Sequence, residues 1–418
     1  MYSRMRGFVV TALALVACTS ERGASWQGTI TDSAGVAIVR NPAAPLWAPE
    51  EGWTLTEALR IGTAEGDPEY QFGAIAAGGS IALASDGRIV VLDLQGQHLK
   101  VFTPTGTYER TIGGPGGGPG EIAPGASAVL VAPGDTIVVS DIGNQRANLY
   151  LLDGTYLRSF PLTFTDGIPF RWEMASDGRI VVQTRRLALP NATEPTADTT
   201  DVIAVRRMDG TVGDTVMLVP SGKTISFSGG APEWHFFSPE PMWALFGDHI
   251  LYAVNDQFRI GLYGPGGTLE RVIEKPSTRA PVTEADQNTL KDIFQKLFVQ
   301  QGVPPQMASQ LMTRVHIAEF YPAFAQVLSG PNGTILVQRI EPLSDLTEEE
   351  REGLDITSGL MAGREWDVFD GEGRYLGAIT MPLRFQPVQF RGNEIYGIQR
   401  DELDVQYIVK LVVATAAE

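Results

Sequence analysis

Residues 84–113 read ASDGRIVVLDLQGQHLKVFTPTGTYERTIG. Two apolar runs, IVVL at 89–92 and LKVF at 99–102, lead through the turn Thr103-Pro104-Thr105-Gly106 into a third run at 107–112. β-Branched and aromatic residues bounded by Gly, Pro and Asp are strand signals. The unit returns at Gly134-Asp135-Thr136-Ile137-Val138-Val139 and Tyr150-Leu151-Leu152-Asp153-Gly154. In both copies the first isoleucine precedes the turn glycine by 17 positions (Ile89 to Gly106, Ile137 to Gly154).

A fixed period of strand units is the mark of a repeat architecture. A third copy starts at Asp177-Gly178-Arg179-Ile180, and its turn at Asp209-Gly210 lies 30 positions beyond Ile180. A fourth spans Ile250 to Gly267, at 17 again, and a fifth runs from Ile335 to Gly373 with a longer insertion. A sixth opens at Glu394-Ile395-Tyr396 and runs to Val413 without room for a last strand. One such sheet cannot bury both of its faces, and radial packing solves that. The expected fold is all-β: a six-bladed β-propeller spanning 29–418. Residues 54–62, which resemble the outer strand at 108–113, are expected to complete blade six and remove its open edge. Residues 31–40 read as a hairpin or strand leading into that closing strand, and 75–83 as the first inner strand.

The chain begins with a targeting pattern. Arg4 and Arg6 precede an apolar run at 8–17 that is far too short to span a bilayer, so 1–17 reads as a signal peptide. It ends Leu15-Val16-Ala17-Cys18, which resembles the lipobox of bacterial lipoproteins. That resemblance implies cleavage before Cys18, a lipid on its sulfur and a tether at 18–28. Thr19 rather than Asp after the cysteine points to the outer membrane, facing the periplasm or the cell surface. Cys18 is the single cysteine, which excludes an intramolecular disulfide and a cysteine zinc site.

A net charge of −17 argues against nucleic acid or an anionic membrane surface as partner, leaving a lipid anchor as the membrane contact. The glycine run at 113–121, GGPGGGPGE, lacks the Lys-Ser or Lys-Thr of a phosphate loop and reads as a connection between blades. Residues 188–201 form a polar insertion in blade three. The aromatic stretch at 226–243 packs a blade junction or forms a binding rim. At 283–316 the pattern turns helical: Leu290, Ile293, Phe294, Leu297 and Phe298 share one face, with Thr283 as N-cap and Asp286 three residues on. This small helical hairpin between blades four and five either docks on the ring or caps the channel.

Trp366-Asp367-Val368-Phe369-Asp370, Gly373-Arg374-Tyr375-Leu376-Gly377 and Arg400-Asp401-Glu402-Leu403-Asp404-Val405 resemble the last blades of bacterial six-bladed propeller lipoproteins. DGRIVVLD and VFTPTGTYERTIG are similar to NHL-type repeats. The resemblance implies a fold and leaves chemistry open. Propeller lactonases and lyases hold a central metal with carboxylate, Asn or His ligands. The matching positions here, at the ends of the second strands, are Asp93, Asp141, Thr184, Asn255, Arg339 and Arg400. Two acids facing two arginines suit a small anionic or zwitterionic ligand better than a divalent cation, although Asp93 and Asp141 can also cap turns. The histidines, His98, His235, His249 and His316, fall in different repeats with no paired spacing, and His316 with Glu319 is an isolated H-x-x-E. No G-x-S-x-G or S-x-x-K motif is present. The expected protein is therefore a lipid-anchored binding or scaffolding module for an envelope protein, a peptide or a small anionic ligand. It needs no metal or cofactor, and the alternative is a lactonase-like hydrolase or lyase acting at the central channel.

Overall fold

The computed structural model describes residues 25–48, 50–162, 164, 167–185, 200–228, 231–300, 302–352 and 363–415. The signal peptide at 1–17, Cys18 and most of the polar insertion at 188–201 lie outside the described residues.

Each blade is a four-stranded antiparallel sheet read from the channel outward. Blade one is Ile81–Leu83, Ile89–Asp93, His98–Phe102 and Tyr108–Ile112, and blade two is Ala126–Ala132, Thr136–Asp141, Arg146–Tyr150 and Tyr156–Pro161. Blade three is Ile168–Met174, Ile180–Arg185, Thr200–Arg206 and Val212–Pro220. Blade four is Pro241–Phe246, His249–Val254, Arg259–Tyr263 and Leu269–Glu274, and blade five is Gln326–Ser329, Ile335–Gln338, Glu365–Phe369 and Tyr375–Thr380. Blade six takes Phe385–Arg391, Glu394–Arg400 and Gln406–Thr415 from the C-terminal end and Trp53–Ile61 from the other. The last two pair antiparallel from Ile408↔Ile61 to Thr415↔Trp53, so the ring closes as expected.

The strand patterns follow from position in the ring. The second strand of blade one, IVVLD, is buried along its whole length because a neighbouring blade covers each face. The outer strand at Tyr108–Ile112 alternates, as a half-solvated strand does. Buried apolar residues form a seam between every consecutive pair of blades. Val90 and Val139 join blades one and two, Val138 and Trp172 blades two and three, and Val181 and Leu245 blades three and four. Ile260 and Val337 join blades four and five, and Val368 and Val409 blades five and six. Ile81, Ile398 and Ile408 join six back to one. The recurrent turn glycine is needed for its backbone: Gly106 has φ 85° and donates to the Thr103 carbonyl at 2.9 Å. A Cβ there would also lie 2.7 Å from Leu59 of the closing strand.

Three expectations need correction. The first inner strand is only Ile81–Leu83, because residues 75–80 form the turn that enters the blade. The hairpin of Thr29–Ser33 and Val36–Arg40 does not run straight into blade six. Val36–Arg40 adds in parallel to the outer strand of blade four, making that sheet six-stranded. The chain then crosses the outside of blade five, where Asn41 Oδ1 accepts from the Tyr375 amide at 2.7 Å and the Trp47 amide donates to the Leu376 carbonyl at 2.7 Å. Third, the aromatic stretch at 226–243 divides: Trp243 is buried in the seam between blades three and four, as a blade-junction reading expects, but the segment before it builds a small sheet of its own. Ile225–Ser228 and Ala231–Phe236 form a hairpin, and Val315–Ile317 joins it in parallel.

The helical insertion consists of α1 (Glu284–Gln300) and α2 (Pro305–Leu311). Asp286 accepts at one oxygen from the Thr283 amide at 2.8 Å and hydroxyl at 2.6 Å, a box that satisfies the free donors at the helix start. The apolar face divides. Leu290, Phe294 and Phe298 are buried against Phe236 and Tyr321, Ile293 faces the central channel, and Leu297 touches both.

Candidate functional site

The chain alternates direction within each blade, so every first strand starts, and every second strand ends, on the same face of the ring. That face carries the long connections: the 225–236 hairpin, α1 with α2, and the blade-five excursion containing α3 (Glu348–Glu352). On the other face the blades turn tightly, as at 84–88 and 103–107.

A channel of about 2000 Å³ runs through the ring. Gly79, Ala82, Val129, Leu245 and Leu328 supply its apolar wall, and α1 roofs it through Thr289, Asp292, Ile293, Lys296 and Leu297. Leu346, Glu350 and Arg351 of the blade-five excursion join that roof. The insertion thus covers the channel mouth. Among the described residues its charged lining balances, seven cations (Arg171, Lys296, Arg351, Arg364, Arg384, Arg391, Arg400) against seven anions (Glu173, Asp292, Glu348, Glu350, Asp401, Glu402, Asp404). In a chain of net charge −17 the described channel lining is formally neutral.

Many of these groups hold one another. Arg171 pairs with Glu173 at 2.5 Å and lies 4.5 Å over the Trp243 ring, while the other Glu173 oxygen accepts from the Leu245 amide at 2.9 Å. Blades three and four are thereby tied at the channel wall. Arg364 approaches Glu350 at 3.6 Å and donates to the Met381 carbonyl at 3.0 Å. Charge-assisted pairs of this kind fix their side chains in place.

The expected ring of site residues is not gathered around the channel; of its members only Arg400, which pairs with Asp404 at 2.9 Å, lines it. Asp93 is buried and accepts from the amides of Gly73, Ala74, Gln95 and Gly96 between 2.8 and 3.2 Å. Asp141 is buried and accepts from the Ala123 amide at 3.1 Å and the Asn148 side chain at 3.1 Å. Asn255 accepts from the Glu240 amide at 2.7 Å and donates to the Phe324 carbonyl at 2.8 Å. Each ties the end of a second strand to the loop that enters its own or the next blade. Blade five meets the same need with ions: Asp367 accepts from Lys275 at 2.6 Å and from Arg339 at 2.8 Å. Burial pulls the Lys275 ammonium below its ordinary pKa, and Asp367 opposes that shift. Burial would lower Arg339 too, but Asp367 holds its guanidinium well above the ordinary value.

The view of the histidines as scattered also needs correction. His235 and His316 are register partners on the small sheet, and their rings stack at 4.7 Å. Burial and the neighbouring His316 lower the His235 pKa. Sequence spacing cannot reveal this pair, because parallel pairing joins strands separated by blade four and the helical insertion. The wall residues Arg171 and Glu173 did carry a signal, since they stand two apart on an inner strand and so share a face.

Residues 79–168 match a sequence family, DUF5128, described as a 6-bladed beta-propeller. The protein is a six-bladed β-propeller. A candidate exported protein of Bacteroides fragilis is 13% identical with a TM-score of 0.51, covering 90% of this chain and 99% of that one. A DUF4221 family member from Bacteroides vulgatus is 9% identical with a TM-score of 0.51, covering 88% and 99%. The virginiamycin B lyase of Staphylococcus aureus is 10% identical with a TM-score of 0.40, covering 87% and 100%. No curated protein matches the chain. These likenesses are of fold alone.

Proposed function

We propose that this protein is a lipid-anchored binding module of the bacterial envelope. Its ligand is a peptide or small anionic or zwitterionic molecule held in the roofed mouth of the channel. The observation that carries the reading is the charge-balanced lining, among the described residues, of a channel that α1 roofs at one mouth in an otherwise acidic protein. Paired side chains along the channel offer both signs of charge without a metal, as a zwitterion requires. A lactonase-like chemistry at the axis would need several ligands converging there. Among the described residues, the group of potential metal ligands, Glu233, His235 and His316, lies outside the channel lining. Anchoring rests on the Leu15-Val16-Ala17-Cys18 site, and export also accords with the description of the Bacteroides fragilis protein.

Two measurements test this. Purified protein is incubated with an envelope extract of peptides and small molecules, washed, and its bound fraction identified by mass spectrometry. The wild type enriches charged peptides or metabolites, and the Lys296→Glu/Arg364→Glu variant loses them. Equal enrichment by both proteins would remove the channel from the account. For the anchor, labelling with an acyl analogue marks the wild type and not Cys18→Ser; equal labelling would refute lipidation.

A further inference from the structure

On the strand Ala231–Phe236, alternation sends Trp234 and Phe236 to one face and Glu233 and His235 to the other. Trp234 and Phe236 pack edge-on against Phe294 of α1, with ring centroids 5.4 and 5.2 Å apart. The opposite face is left to polar groups. His316, on the parallel strand Val315–Ile317, stands directly beside His235, and the two imidazoles stack with an interplanar angle of 18°. Glu233 Oε2 lies 3.4 Å from His316 Nε2, while its other oxygen is 4.0 Å from Arg314. One ligand atom from each of Glu233, His235 and His316 falls within 4.8 Å of the others. Ser226 pairs with Glu233 across the hairpin, and its hydroxyl meets His235 Nε2 at 2.8 Å.

We infer that Glu233, His235 and His316 form a binding site for a divalent transition metal of the zinc class. Two imidazoles and one carboxylate are a borderline set that favours such ions over calcium or magnesium, which take oxygen. Metal–nitrogen bonds of about 2.0–2.1 Å place ligand atoms roughly 3.3 Å apart in a tetrahedron. The two imidazoles stack in nearly parallel planes, so binding turns the His316 ring out of the stack to aim its nitrogen at the shared point, and the His316 side chain, 51% exposed, has room for that rotation. The Ser226 hydroxyl holds His235 Nε2 and so leaves Nδ1 of that ring to the metal, as outer partners of metal-bound histidines do. Three protein ligands on an outward sheet face leave a fourth position for water. In the chain the two strands are separated by blade four and the helical insertion, so the ion fastens the hairpin that precedes blade four to the strand that follows α2.

The test uses the full chain, titrated with Zn²⁺ and separately with Co²⁺. Wild type takes up one ion per chain, and its Co²⁺ form shows the visible bands of a low-coordinate nitrogen–oxygen site. His235→Ala and His316→Ala each weaken binding by about 100-fold or more, beyond what loss of an outer partner costs, while His249→Ala leaves it unchanged. Zn²⁺ slows amide exchange in α1 of the wild type and not of the variants. As a check that does not depend on variants folding, Zn²⁺ protects His235 and His316, and not His98 or His249, from diethylpyrocarbonate. No stoichiometric uptake by the wild type, unaltered uptake in His235→Ala/His316→Ala, or uniform protection of all four histidines would overturn the assignment.

Discussion

The ring and its cover are built by opposite rules. In the ring, each blade hydrogen-bonds mainly within a short stretch of chain, and each seam joins consecutive blades. The cover draws Phe236, Phe294, Tyr321 and Leu343 from four separate stretches into a core of its own. Repetition gives the ring a redundant scaffold in which one position, the closing strand, is unique. The cover has no redundancy, since its core has one copy of each part. Evolution can therefore vary one face of the ring while the other stays a set of tight turns, and that is where a ligand site is expected.

The sharpest way to break this comparison is at the closing strand. A chain starting at Glu51 removes the hairpin on blade four but keeps Trp53–Ile61, and it retains one cooperative melt. A chain starting at Ile75 strips the partner from Gln406–Thr415 and uncovers Ile408, Leu411 and Val413, all buried in the intact ring. Each such side chain contributes about 1.5–3 kcal/mol when buried, and the bared edge invites association. Loss of the cooperative transition and aggregation are expected. Calorimetry giving the same melt for both truncations would show that closure does not hold the ring together.

Phe294→Ala is expected to act on the cover and spare the ring. Phe294 is 4% exposed and meets Trp234, Phe236 and Phe298. Its truncation costs about 3–5 kcal/mol locally. Amide exchange should speed through α1 and α2 while the second strands of the blades keep their protection. Uniform loss of protection across both regions would mean that cover and ring unfold as one body.

The legibility of the sequence divides along the same line. Strand runs such as IVVL at 89–92 and the glycine spacing were readable because blade geometry repeats and Gly106 must adopt a positive φ. Closure was readable because six repeats lacked one strand. The α1 helix was readable from its period and its cap, but not the division of its apolar face between the core and the channel, since Phe294 and Ile293 are equally apolar. Asp93, Asp141 and Asn255 were found as a class of position, yet burial among backbone amides is decided by loops that carry no pattern. The pairing of His235 with His316 depends on a parallel register across blade four and the insertion, which no local signal encodes.

The smallest effect concerns the cap of α1. Asp286 is fully buried; one oxygen takes the Thr283 amide and hydroxyl, and the other takes the Ser344 amide at 2.8 Å. Burial alone would raise its pKa, but the hydrogen bonds from Thr283 and Ser344 outweigh burial and hold it below the ordinary 3.8. A carboxylate with a depressed folded-state pKa stabilises the fold above the unfolded value, and that contribution fades as pH falls through the folded value. The cover should therefore loosen in acid below about pH 3.8, ahead of seams that carry no such group. Asp286→Asn turns one acceptor into a donor facing an amide N–H and costs about 1–3 kcal/mol at neutral pH. Protonated Asp286 resembles that asparagine, so wild type and variant should converge in α1 exchange rates as the pH drops. Were the difference between them to stay constant from neutral pH down to pH about 2, the Asp286 charge would not be what holds the cap.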